Sequence, residues 1–298
     1  MSTLFRGAWG AVLAAGLALT SPGRADAAPY TLTVEPTFPA AQIREVYGPL
    51  LAYLGRSTGH RFVLRSPANF NQHWRDLRAG TKTDFVFEEG HFFDYRRKRS
   101  GFIGLARTVE NAAYSIAVAD PEFAAEGRAG IIGRTVASLG APNLGYVLVF
   151  DDFENPLAQP EVRSISSKWS DGPDLVFAGD VDGALLPSYL AAENPALTEV
   201  WRSVEVPGRV FSASPDVPQE VRQKVAEALA KLHEDPDAFV VMNELRTERL
   251  VPMVAADYDG MERLLRNTFG YTPPAPAVAA PTAPAPAAPT AAPATPRP

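Results

Sequence analysis

The sequence predicts an α/β fold built on a mostly parallel sheet with helices on its faces. Two observations carry this. From Tyr30 to Arg99, short runs of β-forming residues alternate with helical periods, giving β-α-β-α-β-α. The third run, Asp84-Phe-Val-Phe87, is apolar almost throughout, as in strands covered on both faces.

Tyr30-Thr-Leu-Thr-Val34 alternates and reads as a strand, followed by the turn Glu35-Pro-Thr-Phe-Pro39. Ile43, Val46, Tyr47, Leu50, Leu51 and Leu54 recur at helical spacing, with Pro49 expected to kink or split that helix. Arg61–Leu64 is a second strand. Asn69–Arg78 is a helix with Phe70, Trp74 and Leu77 inward and Asn69 as its N-cap. After Asp84–Phe87, the turn Glu88–His91 leads into a helix from His91 to Arg99. Ligands in such sheets bind beyond the carboxyl ends of the strands. The turns Glu35–Phe38 and Glu88–His91 both lie at such ends.

Two strands, Ile103–Val109 and Tyr114–Ala119, precede a second α/β unit. There Ile132–Ala137 runs into Ser138-Leu-Gly-Ala-Pro-Asn-Leu-Gly145 and the apolar helix Tyr146–Phe153. Val162–Ser166 and Asp174–Phe177 are short elements. Ala178–Leu186 is a turn into a strand, Ser188–Glu193 a helix, and Leu197–Val204 and Arg209–Ala213 are strands. Pro218–Leu232 is a helix with Val221, Val225, Leu229 and Leu232 on one face. Asp237–Arg246 and Tyr258–Arg266 are further helices.

Both ends stand apart from this pattern. Arg6, an apolar stretch at Ala11–Thr20 and the small-residue site Ala25-Asp-Ala27 make residues 1–27 a secretory signal peptide, too short to span a bilayer. From Thr272 to Pro298 nearly every residue is Pro, Ala or Thr, a composition expected to stay extended and disordered. Loss of Arg6, Arg24 and Asp26 with the leader takes the net charge from −6 to −7. That argues against a nucleic-acid partner. There is no cysteine, which removes disulfides, thiol catalysis and a lipidated N-terminus. The mature chain is expected to be soluble in the periplasm.

Several stretches invite chemistry. Gly140-Ala-Pro-Asn-Leu-Gly145 is a small-residue loop opening a helix, where backbone N–H groups favour an anion. A plain helix start capped by Asn143 is the alternative. The lysine of a P-loop and the three-glycine dinucleotide spacing are missing, so no cofactor is expected. Glu88, Glu89 and His91 could offer metal ligands, but adjacent strand residues point to opposite faces, so the three converge only through a turn. No glycine-flanked nucleophilic serine occurs. Among the aromatics, Phe38, Phe70, Phe92, Phe93, Tyr95 and Tyr146 gather near the expected cleft.

In order along the chain, TLTVEPTFP, YGPLLAYLGRSTG, ANFNQHWRDLRAG, DFVFEEGHFF, GRTVASLGAPNLGY, GDVDGALL and SPDVPQEVRQKVAEALAKLHEDPDAF resemble the phosphonate/phosphite/phosphate-type periplasmic solute-binding proteins of ABC transporters, of the type II binding-protein fold. The resemblance covers about Tyr30 to Arg266. It implies two α/β lobes, residues 29–116 plus 208–271 and residues 117–207, with hinges near Tyr114–Ala119 and Glu205–Phe211. A small solute would be captured between them without catalysis, by a monomer serving an ABC transporter permease or a membrane sensor. The cleft residues it implies are Thr37, Phe38, Phe70, Glu88, Glu89, His91, Asn143, Leu144, Gly145 and Asp182. The match also departs from the family. No Ser or Thr hydroxyl stands at Ala141–Gly145, Phe70 replaces a hydroxylated aromatic, and Glu88 and Glu89 would repel a dianion. An amine-bearing ligand or a weaker anion fits these changes better. A secreted hydrolase or metal enzyme using Glu88, Glu89 and His91 is a third reading.

Overall fold

The computed structural model describes residues 28–274. The expected signal peptide and most of the Pro/Ala-rich tail lie outside them. The chain opens with β1 (Tyr30–Val34), α1 (Ala40–Thr58), β2 (Phe62–Arg65), α2 (Phe70–Arg78), β3 (Phe85–Glu88), α3 (Gly90–Ser100) and β4 (Ile103–Thr108). It continues through β5 (Tyr114–Val118), α4 (Pro121–Glu126), β6 (Thr135–Ser138), α5 (Leu144–Asp152), β7 (Glu161–Ser164), α6 (Asp171–Phe177), β8 (Gly183–Pro187), α7 (Ser188–Glu193) and β9 (Thr198–Arg202). It closes with β10 (Val210–Ala213), α8 (Gln219–Ala230), α9 (Phe239–Leu245) and β11 (Leu250–Val251).

These strands form two sheets, ordered β11-β4-β10-β3-β1-β2 and β7-β6-β8-β5-β9. Both are mixed. β1 pairs in parallel with β2 and β3, while β10 runs against β3 and β4, and β11 against β4. In the second sheet β6 is parallel to β7 and β8, and β5 opposes β8 and β9. The reversed β5 and β10 are the strands on which the chain enters the second sheet and returns to the first. The two crossing segments touch through paired backbone bonds between Ala112 and Val206.

Local chemistry accounts for most boundaries. Asn69 caps α2 by accepting the Gln72 N–H at 2.9 Å. Asn143 does the same for α5 through Tyr146 N–H, so that helix begins at Leu144, two residues earlier than its apolar run suggested. Pro49 neither splits nor ends α1, which is continuous over 19 residues. The residue before it is Gly48, which has no Cβ to clash with the proline ring. The helix expected over Tyr258–Arg266 is instead two short 3₁₀ turns, Ala255–Tyr258 and Met261–Leu265. Gly260 between them, at φ 91°, breaks the helical path.

One apolar core joins α1, α8 and α9 to the first sheet, with Tyr47, Leu54, Phe85, Phe87, Phe211 and Leu229 at its centre. A second core crosses between the sheets. Phe70, Trp74, Phe92 and Tyr95 of α2 and α3 share it with Tyr114, Ile116, Leu144 and Leu148. The carboxyl ends of β1 and β3 and the amino end of α5 therefore meet at a buried contact.

Candidate functional site

Glu88 and Glu89 are adjacent at the end of β3 and take different partners. Glu88, the last strand residue, is fully buried. Its carboxylate accepts from Arg96 Nε at 2.7 Å and Nη2 at 3.0 Å, and lies 3.1 Å from His73 Nε2. Burial alone would raise its pKa, but the Arg96 charge and the His73 and Arg96 bonds outweigh it and hold Glu88 down to about 2. This glutamate stays ionised as a structural centre tying β3 to α2 and α3. The expected four-residue turn is shorter than read: Glu89 alone links β3 to α3, as the N-cap residue of that helix.

Glu89 reaches across to the second sheet. One oxygen accepts the Leu144 N–H at the start of α5 at 3.0 Å, and the other accepts the Tyr114 hydroxyl. Its own N–H donates to Glu35 Oε1 at 3.0 Å, and Arg209 Nη2 donates to Glu35 Oε2 at 2.9 Å. Burial raises the Glu89 pKa against the pull of Arg209. Burial and then the charge of Glu89 lift Glu35 to about 7. Burial and the neighbouring Glu89 raise the Tyr114 hydroxyl well above its ordinary value, so it remains a donor. Gly145 makes the approach possible, because a Cβ there would lie 2.6 Å from the Tyr114 ring.

His91 is fully buried and donates from Nε2 to the Pro142 carbonyl at 3.0 Å, leaving Nδ1 without a partner. Burial pushes its pKa down to about 3, so it is neutral. Asn143 spends its side chain on Leu139 O, Gly140 O and Tyr146 N–H. Phe70 stacks on Phe92 at 6.3 Å inside the shared core. Asp182 stands elsewhere: its carboxylate accepts from Thr135 N and Oγ1 at the amino ends of β6 and β8, the pole opposite the strand ends.

A cavity of about 590 Å³ opens beside this contact. Thr37, Phe38, Glu89 and Arg209 line it from the first sheet, and Tyr114, Lys168, Trp169 and Tyr189 from the second. It lies beyond the carboxyl ends of β1, β3 and β8. Of the expected cleft residues, Thr37, Phe38 and Glu89 reach its wall. Glu88, His91, Asn143 and Phe70 are spent within the packed contact. Glu35, Arg209, Tyr114 and Trp169 were not singled out from the sequence. Only Glu35 carried a local signal, its place in the turn after the first strand.

Among the described residues, no group of three or more His, Cys, Asp and Glu side chains is placed to hold a metal ion, and no helix is long and apolar enough to cross a membrane.

No curated protein matches the chain in sequence. Solved structures share its fold. Prochlorococcus marinus PhnD1, solved in complex with methylphosphonate, matches with TM-score 0.67 at 12% identity over 80% of this chain and 97% of that one. The binding-protein component of a Pseudomonas aeruginosa ABC phosphonate transporter matches with TM-score 0.62 at 14% identity, over 80% and 84% of the two chains. A Xanthomonas citri protein bound to ATP matches with TM-score 0.61 at 16% identity, over 79% and 94%. The family model described as "ABC transporter, phosphonate, periplasmic substrate-binding protein" matches residues 32–258, most of the chain. With two mixed sheets joined by paired crossovers and a cavity at their strand ends, the chain belongs to this family of periplasmic substrate-binding proteins of ABC transporters.

Proposed function

We propose that this protein is a non-catalytic carrier that captures a small polar solute of the phosphonate or amino-phosphonate kind and delivers it to the permease of an ABC transporter. The observation that carries the reading is the cavity of about 590 Å³ lined from both sheets at their strand ends. That volume suits a small ligand. In this reading residues 29–116 with 208–271 form one lobe and 117–207 the other. The crossings near 114–119 and 205–211 act as hinges, and closure buries the solute. Thr37, Phe38, Glu89, Tyr114 and Arg209 contact it. The leader at residues 1–27 exports the chain and is removed.

Binding rather than catalysis is favoured by how the acid and imidazole groups are used. The ionised Glu88 is paired with Arg96, and the neutral His91 donates to a backbone carbonyl. Neither is poised to move a proton.

The test is calorimetry and thermal unfolding of the mature protein with phosphonates, amino-phosphonates, phosphite, phosphate and sulfonates. A ligand held at 100 times its Kd stabilises the native state by about 2.7 kcal/mol, a visible rise in Tm. A blank across the whole panel would refute the reading.

A further inference from the structure

A helix start presents backbone N–H groups that favour an anion, and at the start of α5 the protein has put its own carboxylate. Glu89 accepts the Leu144 N–H at 3.0 Å and the Tyr114 hydroxyl, and is 4% exposed. The Tyr146 N–H is taken by Asn143. An incoming oxyanion would have to displace Glu89 or sit against it, with Glu35 immediately behind.

We propose that Glu89 is the specificity-determining residue of the cleft: by occupying the anion place at the α5 helix start, it turns the site toward a solute that presents a protonated amine and against a plain dianionic oxyanion. The inference rests on the solute-binding reading above and names the member of the ligand class it takes.

Independent features of the cavity fit an ammonium group. Thr37 is 6% exposed on its wall, and its hydroxyl has no partner, leaving a group that can accept from an N–H donor as well as donate. Tyr114 and Trp169, with ring centroids 5.5 Å apart, line the same wall with Phe38, and aromatic faces attract cations. Arg209 pairs with Glu35 through Nη2 at 2.9 Å, and its charge also reaches Glu89. For the acidic end of a zwitterion, Lys168 stands on the cavity wall with no ion pair within 4.0 Å among the described residues.

The test compares aminoethylphosphonate with methylphosphonate, probes that differ by the amine, on wild type, E89Q and E89A by calorimetry near neutral pH. Circular dichroism checks that each variant is folded. Wild type is expected to prefer aminoethylphosphonate by about tenfold to a hundredfold, the scale of one charged hydrogen bond. E89Q is expected to lose most of that preference, and E89A, which frees the Leu144 N–H, to bind methylphosphonate more tightly than wild type. Equal binding of both probes by wild type overturns the inference without any variant, and leaves the solute-binding reading standing. So does a wild type silent to both probes that binds another solute of the wider panel. Silence of wild type to every solute removes both. An unchanged preference in a folded E89Q also overturns it.

Discussion

The Glu89 carboxylate and the Leu144 backbone N–H meet at 3.0 Å, joining the end of β3 in the first sheet to the start of α5 beside the second. The same carboxylate accepts the Tyr114 hydroxyl from the crossover strand β5. Two donors on one buried acceptor make this contact a latch between the sheets. Y114F keeps the ring that packs against Gly145 and removes only the hydroxyl. It is expected to cost about 1–3 kcal/mol, the penalty for leaving a buried acceptor short of a partner. Urea unfolding measures it, and a midpoint equal to wild type would mean that the hydroxyl carries nothing.

Glu88 yields a second prediction. Its carboxylate is fully buried, and Arg96 grips it through Nε and Nη2. R96M removes the guanidinium and leaves an ionised group without its main partner, expected to cost about 3–5 kcal/mol. Replacing both partners, in R96M with E88M, removes the stranded charge and is expected to recover much of the loss. A double variant no more stable than R96M would show that the side chains matter for shape rather than charge.

How much of this was legible from sequence follows the separation of the partners. Asn69 as a cap, the helix Ser188–Glu193 and the apolar face Val221, Val225, Leu229 are local patterns, and the structure keeps them. Glu88 ends β3 and Glu89 caps α3, and this change of element at adjacent residues sends the two side chains to different partners. Sequence does not show such partners: Arg209 lies 174 residues from Glu35, and Leu144 lies 55 from Glu89. No periodicity reports which distant side chain will fold over a given carboxylate. The same limit placed Asp182 in the cleft, because a turn before a strand looks alike at either pole of a sheet. β11 was missed because two residues, Leu250 and Val251, carry no pattern of their own.

Glycine spacing at the anion-loop segment separates two roles. At Gly145 a Cβ would stand 2.6 Å from Tyr114 Cδ1, whereas at Gly140 nothing lies within 4 Å. G145A is expected to push Tyr114 off Glu89 and to cost about 1–3 kcal/mol by overpacking. G140A is expected to be close to neutral. Thermal unfolding of the pair decides it, since equal Tm values would remove Gly145 from the argument.

His91 sets a pH dependence with a definite sign. Burial holds its folded pKa at about 3, while an unfolded histidine titrates near 6.5. Between these values the unfolded chain binds a proton that the native chain does not, so stability falls as pH drops from about 6.5 toward 3. Glu35 pulls the other way. Its folded pKa of about 7 lies above the ordinary 4.5, so the native chain binds the extra proton there and gains stability as pH falls between them. Glu88, held at about 2, contributes only below 4.5. Wild type alone therefore mixes several slopes, because the raised Glu89 and the lowered Asp94 add their own. The difference between H91N and wild type isolates one, because His91 is not among the groups that shift Glu35. H91N is expected to be less stable than wild type at pH 7, where the Pro142 bond and ring packing are disturbed, and to close that gap as pH falls to 4.5. At about 1.4 kcal/mol per pKa unit, the closing over two units amounts to roughly 3 kcal/mol. Denaturant midpoints at four or five pH values measure it, and a gap constant from pH 7 to 4.5 would show that His91 takes up a proton as readily folded as unfolded.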